Sequence, residues 1–227
     1  MKLLTRLAIF LSFFVMVEYA NAASNNILID QIGSGSTINL TQTGQGNSIG
    51  DPTNHANFNG NNNTVTIDQI GNGNQAAVSV SGDDNTLSHS FTGNYNQLSL
   101  LCPSCSSITM TDTVNGDSNI ITRSFNTTGG TSTIDISTNN NDVTISNETT
   151  AITGAASSVD ISGGGGNSVQ IRQKGAAGTN GHVADVTIVG ASNTAHIDQG
   201  GNVDSTVHAT ITGSGNNLSI NSNYSAH

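Results

Sequence analysis

The sequence is poor in the residues that build ordinary globular cores and enzyme surfaces. It contains no tryptophan, its aromatic content is 4%, and only 9% of its 227 residues are charged. Such a composition is untypical of a globular core or of an enzyme surface. Basic residues are the scarcest, with 5 Lys and Arg against 15 Asp and Glu and a formal net charge of −10. This acidity argues against nucleic acid and anionic membranes as partners.

Long apolar runs are missing as well, apart from one near the start of the chain. Residues 7–17 are almost entirely apolar, but this run is too short for a membrane span. Lys2 and Arg6 precede it, and small residues follow it up to Ala22, which is the order typical of a secretory signal peptide. We therefore predict a signal peptide over residues 1–22, cleavage after Ala22, and a secreted mature chain without membrane insertion.

Cysteine is nearly absent, and the two that occur lie close together as Cys102 and Cys105. An exported chain meets oxidising conditions, so a local disulfide between them is possible. A redox-active pair would need a helix N-terminus, whereas this segment lies among predicted strands. A disulfide or a variant turn is therefore the favoured interpretation.

The most abundant feature is a repeat. Asn, Ser, Thr, Gly and Gln dominate the chain, and turns of the form Gly-x-x-Asn recur, many of them eleven residues apart, as at Gly60, Gly71, Gly82 and Gly93. Glycine and asparagine tolerate the positive φ angles of tight turns. Internal periodicity of this kind is typical of stacked repeat architectures.

Between these turns apolar residues alternate with polar ones. Val65, Ile67 and Gln69 share one face of a segment whose other face is polar, which predicts a half-buried strand. Two strands and two turns use about 22 residues, a length that suits one flattened coil of a solenoid.

We predict an all-β protein, a β-solenoid of two-strand coils over residues 23–227, regular at 27–101 and degenerate at 102–227. Segments 50–59 and 148–157 are expected to be bulged loops or broken coils. A β-sandwich is the alternative architecture, because it also has a turn every 8–12 residues, roughly.

Polar amides recur at the inward phase of the predicted strands and turns. Buried amides are tolerated when identical amides stack on them, as in cross-β ladders. The alternative is that they cap turns at the surface. The predicted ladder residues are Gln31, Gln42, Gln69, Gln173, Gln199, Asn47, Asn74, Asn85, Asn96, Asn119, Asn193 and Asn216.

Two charged residues fall on the inward phase near one turn. Reflection across the turn between Gly116 and Asn119 places Asp112 opposite Arg123. We predict a buried ion pair between them, of a kind whose disruption is costly. The alternative is a local slip of register that turns both side chains outward.

The repeats resemble those of the curlin family. Residues 65–78, Val-Thr-Ile-Asp-Gln-Ile-Gly-Asn-Gly-Asn-Gln-Ala-Ala-Val, carry alternating aliphatics, a glutamine and a Gly-x-Gly-Asn turn, and residues 29–36 and 40–47 are similar. The resemblance implies a subunit of curli-like amyloid fibres that supports adhesion and biofilm formation outside a bacterial cell. It also implies a nucleator and an outer-membrane secretion pore as partners, besides other copies of the chain.

Other functions are less well supported. The chain shows no nucleophile motif and no metal-ligand spacing of its histidines, so we expect no enzymatic activity, no cofactor and no metal site. The alternative function is a monomeric solenoid that acts as an adhesin or binds a surface such as ice. Thr64/Thr66 and Thr131/Thr133 fit the ice-binding pattern, but such pairs are not sustained along the repeats.

Overall fold

A computed structural model describes residues 24–30, 32–33, 36–50, 56–60, 62–82, 84–102, 108–125, 128–148, 153–175 and 181–224. The described residues form strands and turns only, so none of them builds a helix that could cross a membrane. The strands are β1 (Asn26–Ile27), β2 (Ile29–Asp30), β3 (Thr37–Thr43), β4 (Ser48–Ile49), β5 (Ala56–Asn57), β6 (Thr64–Ile70), β7 (Gln75–Val80), β8 (Thr86–Thr92), β9 (Gln97–Cys102), β10 (Ile108–Asn115), β11 (Ile120–Phe125), β12 (Thr128–Ile136), β13 (Asp142–Asn147), β14 (Thr153–Ser162), β15 (Ser168–Gln173), β16 (Val183–Val189), β17 (Thr194–Gly201), β18 (Thr206–Thr212) and β19 (Asn217–Tyr224).

These strands build two parallel sheets. The smaller sheet has 8 strands in the order β18-β16-β14-β12-β10-β8-β6-β3, and the larger sheet has 11 strands that run from β1 to β19. The chain passes from one sheet to the other at each turn, and every strand then pairs with its equivalent from the previous coil. We call one strand of each sheet, with its turns, a rung. This parallel stacking confirms the β-solenoid, and it excludes the sandwich, whose sheets are antiparallel.

Rung length follows the pattern in the sequence, with three longer intervals, the last of which is the step of 26 from Asn167 to Asn193. The step between equivalent residues is 22 from Asn74 to Asn96 but 27 from Asn47 to Asn74, an interval that contains segment 50–59. The prediction of an irregular segment at 50–59 is wrong at Ala56 and Asn57, which form β5 and pair with β2 and β7. The step is 26 from Asn141 to Asn167, where segment 148–157 lies. The prediction of an irregular segment at 148–157 is wrong for its last five residues, because β14 begins at Thr153 and pairs with β12.

The core is a thin apolar layer between the two sheets. In β6 the inward residues Val65 and Ile67 are no more than 1% exposed, while outward Thr64 is exposed. Each inward residue rests on its equivalent in the next rung, as Val65 does on Leu87. A single rung buries little by itself, so the stack of rungs creates the core.

Candidate assembly site

Most of the turns that lead from the smaller to the larger sheet share one backbone shape, with positive φ at two positions two residues apart. After β6, Gly71 and Gly73 have φ angles of 119° and 68°, and Asn74 then turns inward. Only glycine adopts such a shape at Gly71 without strain. A Cβ on Gly71 would also lie 1.9 Å from the carbonyl oxygen of Gly93 in the next rung. Glycine is therefore required both by the backbone and by the close stacking of the turns.

Behind these turns lies a column of asparagines, which we call the asparagine ladder. The Oδ1 of Asn96 accepts hydrogen bonds from the backbone N–H and the Nδ2 of Asn119, both at 3.0 Å. The Nδ2 of Asn96 donates to the Oδ1 of Asn74 at 3.1 Å and to the carbonyl of Gly116 at 2.7 Å. In stacking order the members are Asn25, Asn47, Asn74, Asn96, Asn119, Asn141, Asn167, Asn193 and Asn216.

Each central asparagine therefore joins three successive rungs. Because its donors and its acceptor are all paired, burial of the amide does not incur the cost of an unsatisfied polar group. Asn216 makes the same contacts to Asn193 but is exposed, since it belongs to the last described rung. Sequence reasoning missed Asn25, Asn141 and Asn167 as members. At Asn141 the signal was hidden because Thr138 stands where the other turns have their first glycine.

Asn85 does not belong to this ladder. It lies at the opposite edge of the solenoid, where its Nδ2 donates to the Oδ1 of Asn63 at 3.0 Å, and both residues are buried. The eleven-residue step alternates between the two edges, so the sequence alone merged two separate columns into one.

A second, outer ladder runs along the same turns and was not predicted. The Oδ1 of Asn94 accepts hydrogen bonds from the backbone N–H and Nδ2 of Asn72, at 2.9 and 3.2 Å. Asn94 in turn donates to Asp117, whose N–H donates to Asn139 at 2.7 Å. The turns are thus tied together on their inner and outer sides. The second residue of each of these four turns is Asn or Asp, and this recurrence in the sequence could have revealed the outer ladder.

The glutamines form two separate pairs and not one ladder. Gln42 donates to Gln69 at 2.9 Å within the smaller sheet, and Gln173 donates to Gln199 at 3.0 Å within the larger sheet. Gln69, Gln173 and Gln199 are fully buried. Gln31 lies outside the described residues. Gln69, Gln173 and Gln199 also donate to backbone carbonyls. The Oε1 of Gln42, in contrast, is buried without a hydrogen-bond partner among the described residues.

Asp112 and Arg123 face each other across the core. Arg123 Nη2 lies 2.6 Å from Asp112 Oδ1, and Nη1 lies 3.2 Å from Oδ2. Both residues are 1% exposed. Burial lowers the pKa of Arg123, while the charge of Asp112 opposes that shift.

His89 lies beside this buried pair; alternation placed it on the inward face of β8, but its contact with Asp112 was not predicted. It is 1% exposed, and its Nδ1 lies 3.6 Å from Asp112 Oδ2 on the neighbouring strand of the smaller sheet. Its ring meets Phe91 edge to face, with 4.0 Å between the ring centroids.

A second buried histidine, His182, fixes the entry to β16. Its Nδ1 lies 3.3 Å from the N–H of Ser205 and 3.2 Å from the Ser205 hydroxyl. A backbone N–H can donate only to an unprotonated ring nitrogen. Burial lowers the pKa of His182, partly offset by a backbone hydrogen bond to Lys174 and by Asp204.

The remaining basic residues of the described chain pair with acids one rung away. Arg172 contacts Glu148 at 2.5 Å and Lys174 contacts Asp198 at 3.0 Å. The hydrogen bond from Arg172 lowers the pKa of Glu148. These pairs lie at the surface, where each contributes little to stability.

Two further predictions concern cysteine and metal binding. Cys105 and the side chain of Cys102 lie outside what the structure describes, so a disulfide between them stays a prediction. Within the described residues, no group of three or more His, Cys, Asp or Glu could hold a metal ion.

Both ends of the stack leave the asparagine ladder open. At one end Asn25 Oδ1 accepts the N–H of Asn47, whereas the N–H of Asn25 meets no acceptor in the described residues. At the other end Asn216 donates to Asn193, but its Oδ1 accepts no hydrogen bond from any described residue. The apolar residues Ile29, Leu218 and Ile220 at these ends are only partly buried. Within the part of residues 24–224 that the structure describes, each end of the stack therefore has unused hydrogen-bonding groups and partly uncovered apolar side chains.

Comparison with known protein families finds a match for about one rung of this stack. Residues 60–88 match the family described as the curlin associated repeat. This segment of the chain is similar to a curlin associated repeat. The matched segment contains β6, β7 and the turns on either side of them, including the required glycine at Gly71 and the ladder residue Asn74. No curated protein and no solved structure matches the chain.

Proposed function

We propose that this curlin-repeat solenoid is the structural subunit of an extracellular curli-like fibre, in which copies join end to end. The observation that carries the proposal is the open asparagine ladder, which has a free donor at one end and a free acceptor at the other. Strand edges with unpaired backbone groups are templates for further pairing. Because the two ends differ and the joining operation does not close, such contacts extend into a filament.

The register of the junction follows from the backbone. Asn216 directs its N–H toward β17, so the alternate amides of Asn217 and Ser219 point to the open edge. Within the stack, the residue after each ladder asparagine donates to the ladder carbonyl of the next rung, as Thr194 does to Asn216. By the same rule Asn217 of one copy donates to Asn25 of the next copy.

This register also aligns the inward apolar residues. It stacks Ile27 of the incoming copy on Leu218 and Ile29 on Ile220. Ile27 is 40% exposed in the single chain, so the junction would remove apolar surface from water as well as pair the backbone. Burial of this kind contributes about 25 cal/mol per Å² of apolar surface.

The junction is less complete on the smaller sheet. The first and last described strands, β1 and β19, both lie in the larger sheet, so the described part of the smaller sheet has one strand fewer along the stack. When β19 pairs with β1 of the next copy, the smaller sheet lacks one strand between β18 of the first copy and β3 of the next. The contact between copies is therefore weaker than the contact between rungs of one copy.

A seeded growth assay with an end-blocking variant tests the proposal. The mature chain at micromolar concentration should grow on preformed seeds into fibres with a repeat of about 4.8 Å along the axis. Ser219→Pro removes an amide at the open edge without removing a hydrogen bond within the copy, and it blocks pairing there. We expect this variant to stay folded, to fail to elongate, and to slow wild-type growth by capping fibre ends.

Ser219→Ala is the matched control, because it keeps the amide and should grow like the wild type. Fibres that grow equally well from Ser219→Pro and Ser219→Ala would rule out this junction. A mature chain that stays monomeric with seeds would favour a monomeric adhesin instead.

The cellular role is part of the same proposal. A signal peptide over residues 1–22 would deliver the chain to the cell envelope, and the curlin repeat supports export through an outer-membrane pore and growth on a surface nucleator. The fibres would then support adhesion and biofilm formation. Deletion of the chromosomal copy should remove surface fibres and lower biofilm mass, and complementation with the Ser219→Ala variant should restore both.

A further inference from the structure

The outward face of the smaller sheet carries a regular array of threonines. The parallel register stacks Thr37, Thr64, Thr86, Thr109 and Thr131 in one column over five successive rungs. In the next rungs Ala156 and Val183 interrupt the threonines of this column. A second column, two residues further along each strand, contains Asn39, Thr66, Ser88, Thr111 and Thr133. We call these ten residues the threonine face. All of them are exposed or half-buried.

The prediction that Thr-x-Thr pairs are not sustained along the repeats is confirmed, because Thr86 is paired with Ser88 and the rung after Thr131 carries Ala156 and Ser158. Threonine is nevertheless sustained over five rungs in the first column alone. The inserted segment 50–59 and uneven turns shift the linear spacing, so successive threonines do not follow a fixed interval. The register of the strands restores them to one column.

The outer face of the other sheet shows that this order is not a general property of the exposed positions. The corresponding column there is Gln75, Gln97, Ile120, Asp142 and Ser168, five residues of four types. General preference for threonine on exposed strand positions would act on both sheets alike. The repetition is confined to one face, which indicates a requirement specific to that face.

The spacing of the array is fixed in two directions. Neighbouring rungs of a sheet lie about 4.8 Å apart, and residues i and i+2 lie about 6.6 Å apart along a strand. Threonine is β-branched and has few rotamers, so its hydroxyl and methyl groups are also held in place. The result is a rigid two-dimensional lattice of small groups.

We propose that the threonine face binds ice. Liquid water competes for every single hydroxyl, so a contact can favour solid over liquid water only if many groups match a lattice at once. A rigid array does not lose side-chain freedom on binding. The ten positions carry no charged side chain, which would hold its own disordered hydration shell.

Two other occupants fit the face less well. A polysaccharide surface is commonly bound by stacking on aromatic rings, and the threonine face contains none. A second copy packed face to face would bury the hydroxyls without their water partners, which costs free energy. An ice surface leaves each hydroxyl hydrogen-bonded to water.

Partition into growing ice tests the inference, and the test does not depend on fibre formation. A fluorescently labelled mature chain, freshly purified as monomer, is mixed with a non-binding reference protein and exposed to slowly growing ice. We expect the chain to enter the ice while the reference protein stays in the liquid.

A matched pair of variants tests whether binding occurs at the threonine face. Thr111 and Thr122 are half-buried, outward-facing residues on β10 and β11, two strands that follow each other in the chain. Thr111 lies on the outer face of the smaller sheet, and Thr122 lies on the outer face of the larger sheet. Thr111→Tyr should lower partition into ice at least about tenfold because its ring breaks the flat lattice, while Thr122→Tyr should leave partition unchanged. Circular dichroism checks that both are folded, and Thr86→Tyr replaces Thr111→Tyr if that variant does not fold.

Three outcomes would overturn the inference. One is a wild-type chain that stays in the liquid with the reference protein. Another is equal partition of Thr111→Tyr and Thr122→Tyr. The third is that Thr111→Tyr abolishes lateral bundling of fibres while the wild type does not enter ice, which would assign the face to contacts between copies.

Discussion

At the scale of single residues, the most unusual feature is a pair of charged side chains, Asp112 and Arg123, inside the thin apolar core. Asp112 and Arg123 are both essentially inaccessible, and neither can be hydrated if the other is lost. A buried pair need not add net stability over apolar residues, but an unpaired buried charge is costly.

We expect Arg123→Ala alone to lower the free energy of unfolding by about 3–5 kcal/mol, because Asp112 then stays buried without its partner. The double variant with Asp112→Ala should lose much less than the sum of the two single variants. Guanidinium unfolding of the four proteins measures the coupling energy. Simple additivity of the two single changes would show that the side chains do not interact.

His182 predicts a pH dependence. Its pKa is lowered in the folded chain, so between the folded and unfolded pKa values the unfolded state binds more protons. The stabilising effect of the neutral ring is therefore fully present above the usual histidine pKa of about 6.5 and is lost as the pH falls below it.

Urea midpoints measured from pH 7.5 to 5 should accordingly fall more steeply for the wild type than for His182→Asn. The asparagine variant keeps an acceptor for the N–H of Ser205 but does not titrate. Parallel pH profiles for the two proteins would contradict this assignment, since the other titrating groups are common to both.

At the scale of the element, the strands were predictable and the columns were not. Alternation identified β6 and β7 because Val65, Ile67 and Ala76 have to face the core. The eleven-residue step did not reveal that Asn74 and Asn85 lie on opposite edges, since both edges use the same turn residues. Thr138 hid the ladder member Asn141 for a related reason. Contacts between rungs depend on register, which an insertion anywhere in the chain changes.

The contacts of the buried histidines could not be predicted. Alternation placed His89 on the inward face of β8 with Leu87 and Phe91, but it did not show which side chain lies beside it. Only the pairing of β8 with β10 puts Asp112 next to His89. Reflection across one turn was enough for the pair Asp112 and Arg123, because both partners lie within the same rung.

The turn glycines give a prediction about this element. Gly93 has a φ of 138°, and a Cβ there would lie 2.0 Å from the carbonyl oxygen of Gly116. Gly93→Ala should therefore cost at least about 3 kcal/mol, through backbone strain and the displaced turn of the next rung.

Gly46 provides the control for this change. Its φ is 64° and a Cβ would meet nothing within 4 Å. Residues at the same turn position in other rungs include Ser118 and Asn140, both with φ of 58°. Gly46→Asn should thus change the unfolding midpoint little. Equal losses for Gly46→Asn and Gly93→Ala would show that close packing between turns is not what selects glycine at Gly93.

At the scale of the whole molecule, the solenoid combines strong contacts inside a copy with weaker contacts between copies. Within a copy, neighbouring rungs share two sheets, the asparagine ladder and a continuous chain. At the proposed junction only the larger sheet and the ladder continue, and the chain is broken. The order of these strengths decides how a fibre comes apart.

We therefore expect fibres to dissociate into folded copies before those copies unfold. In a guanidinium titration, light scattering should fall at a lower concentration than the far-ultraviolet circular dichroism signal of the strands. Ser219→Pro, which cannot elongate, provides the unfolding midpoint of an isolated copy, and the released chains should share it. If scattering and circular dichroism are instead lost together, above that midpoint, the junction is at least as strong as the rung contacts. The one-strand gap between β18 and the next β3 would then have to be closed in the fibre.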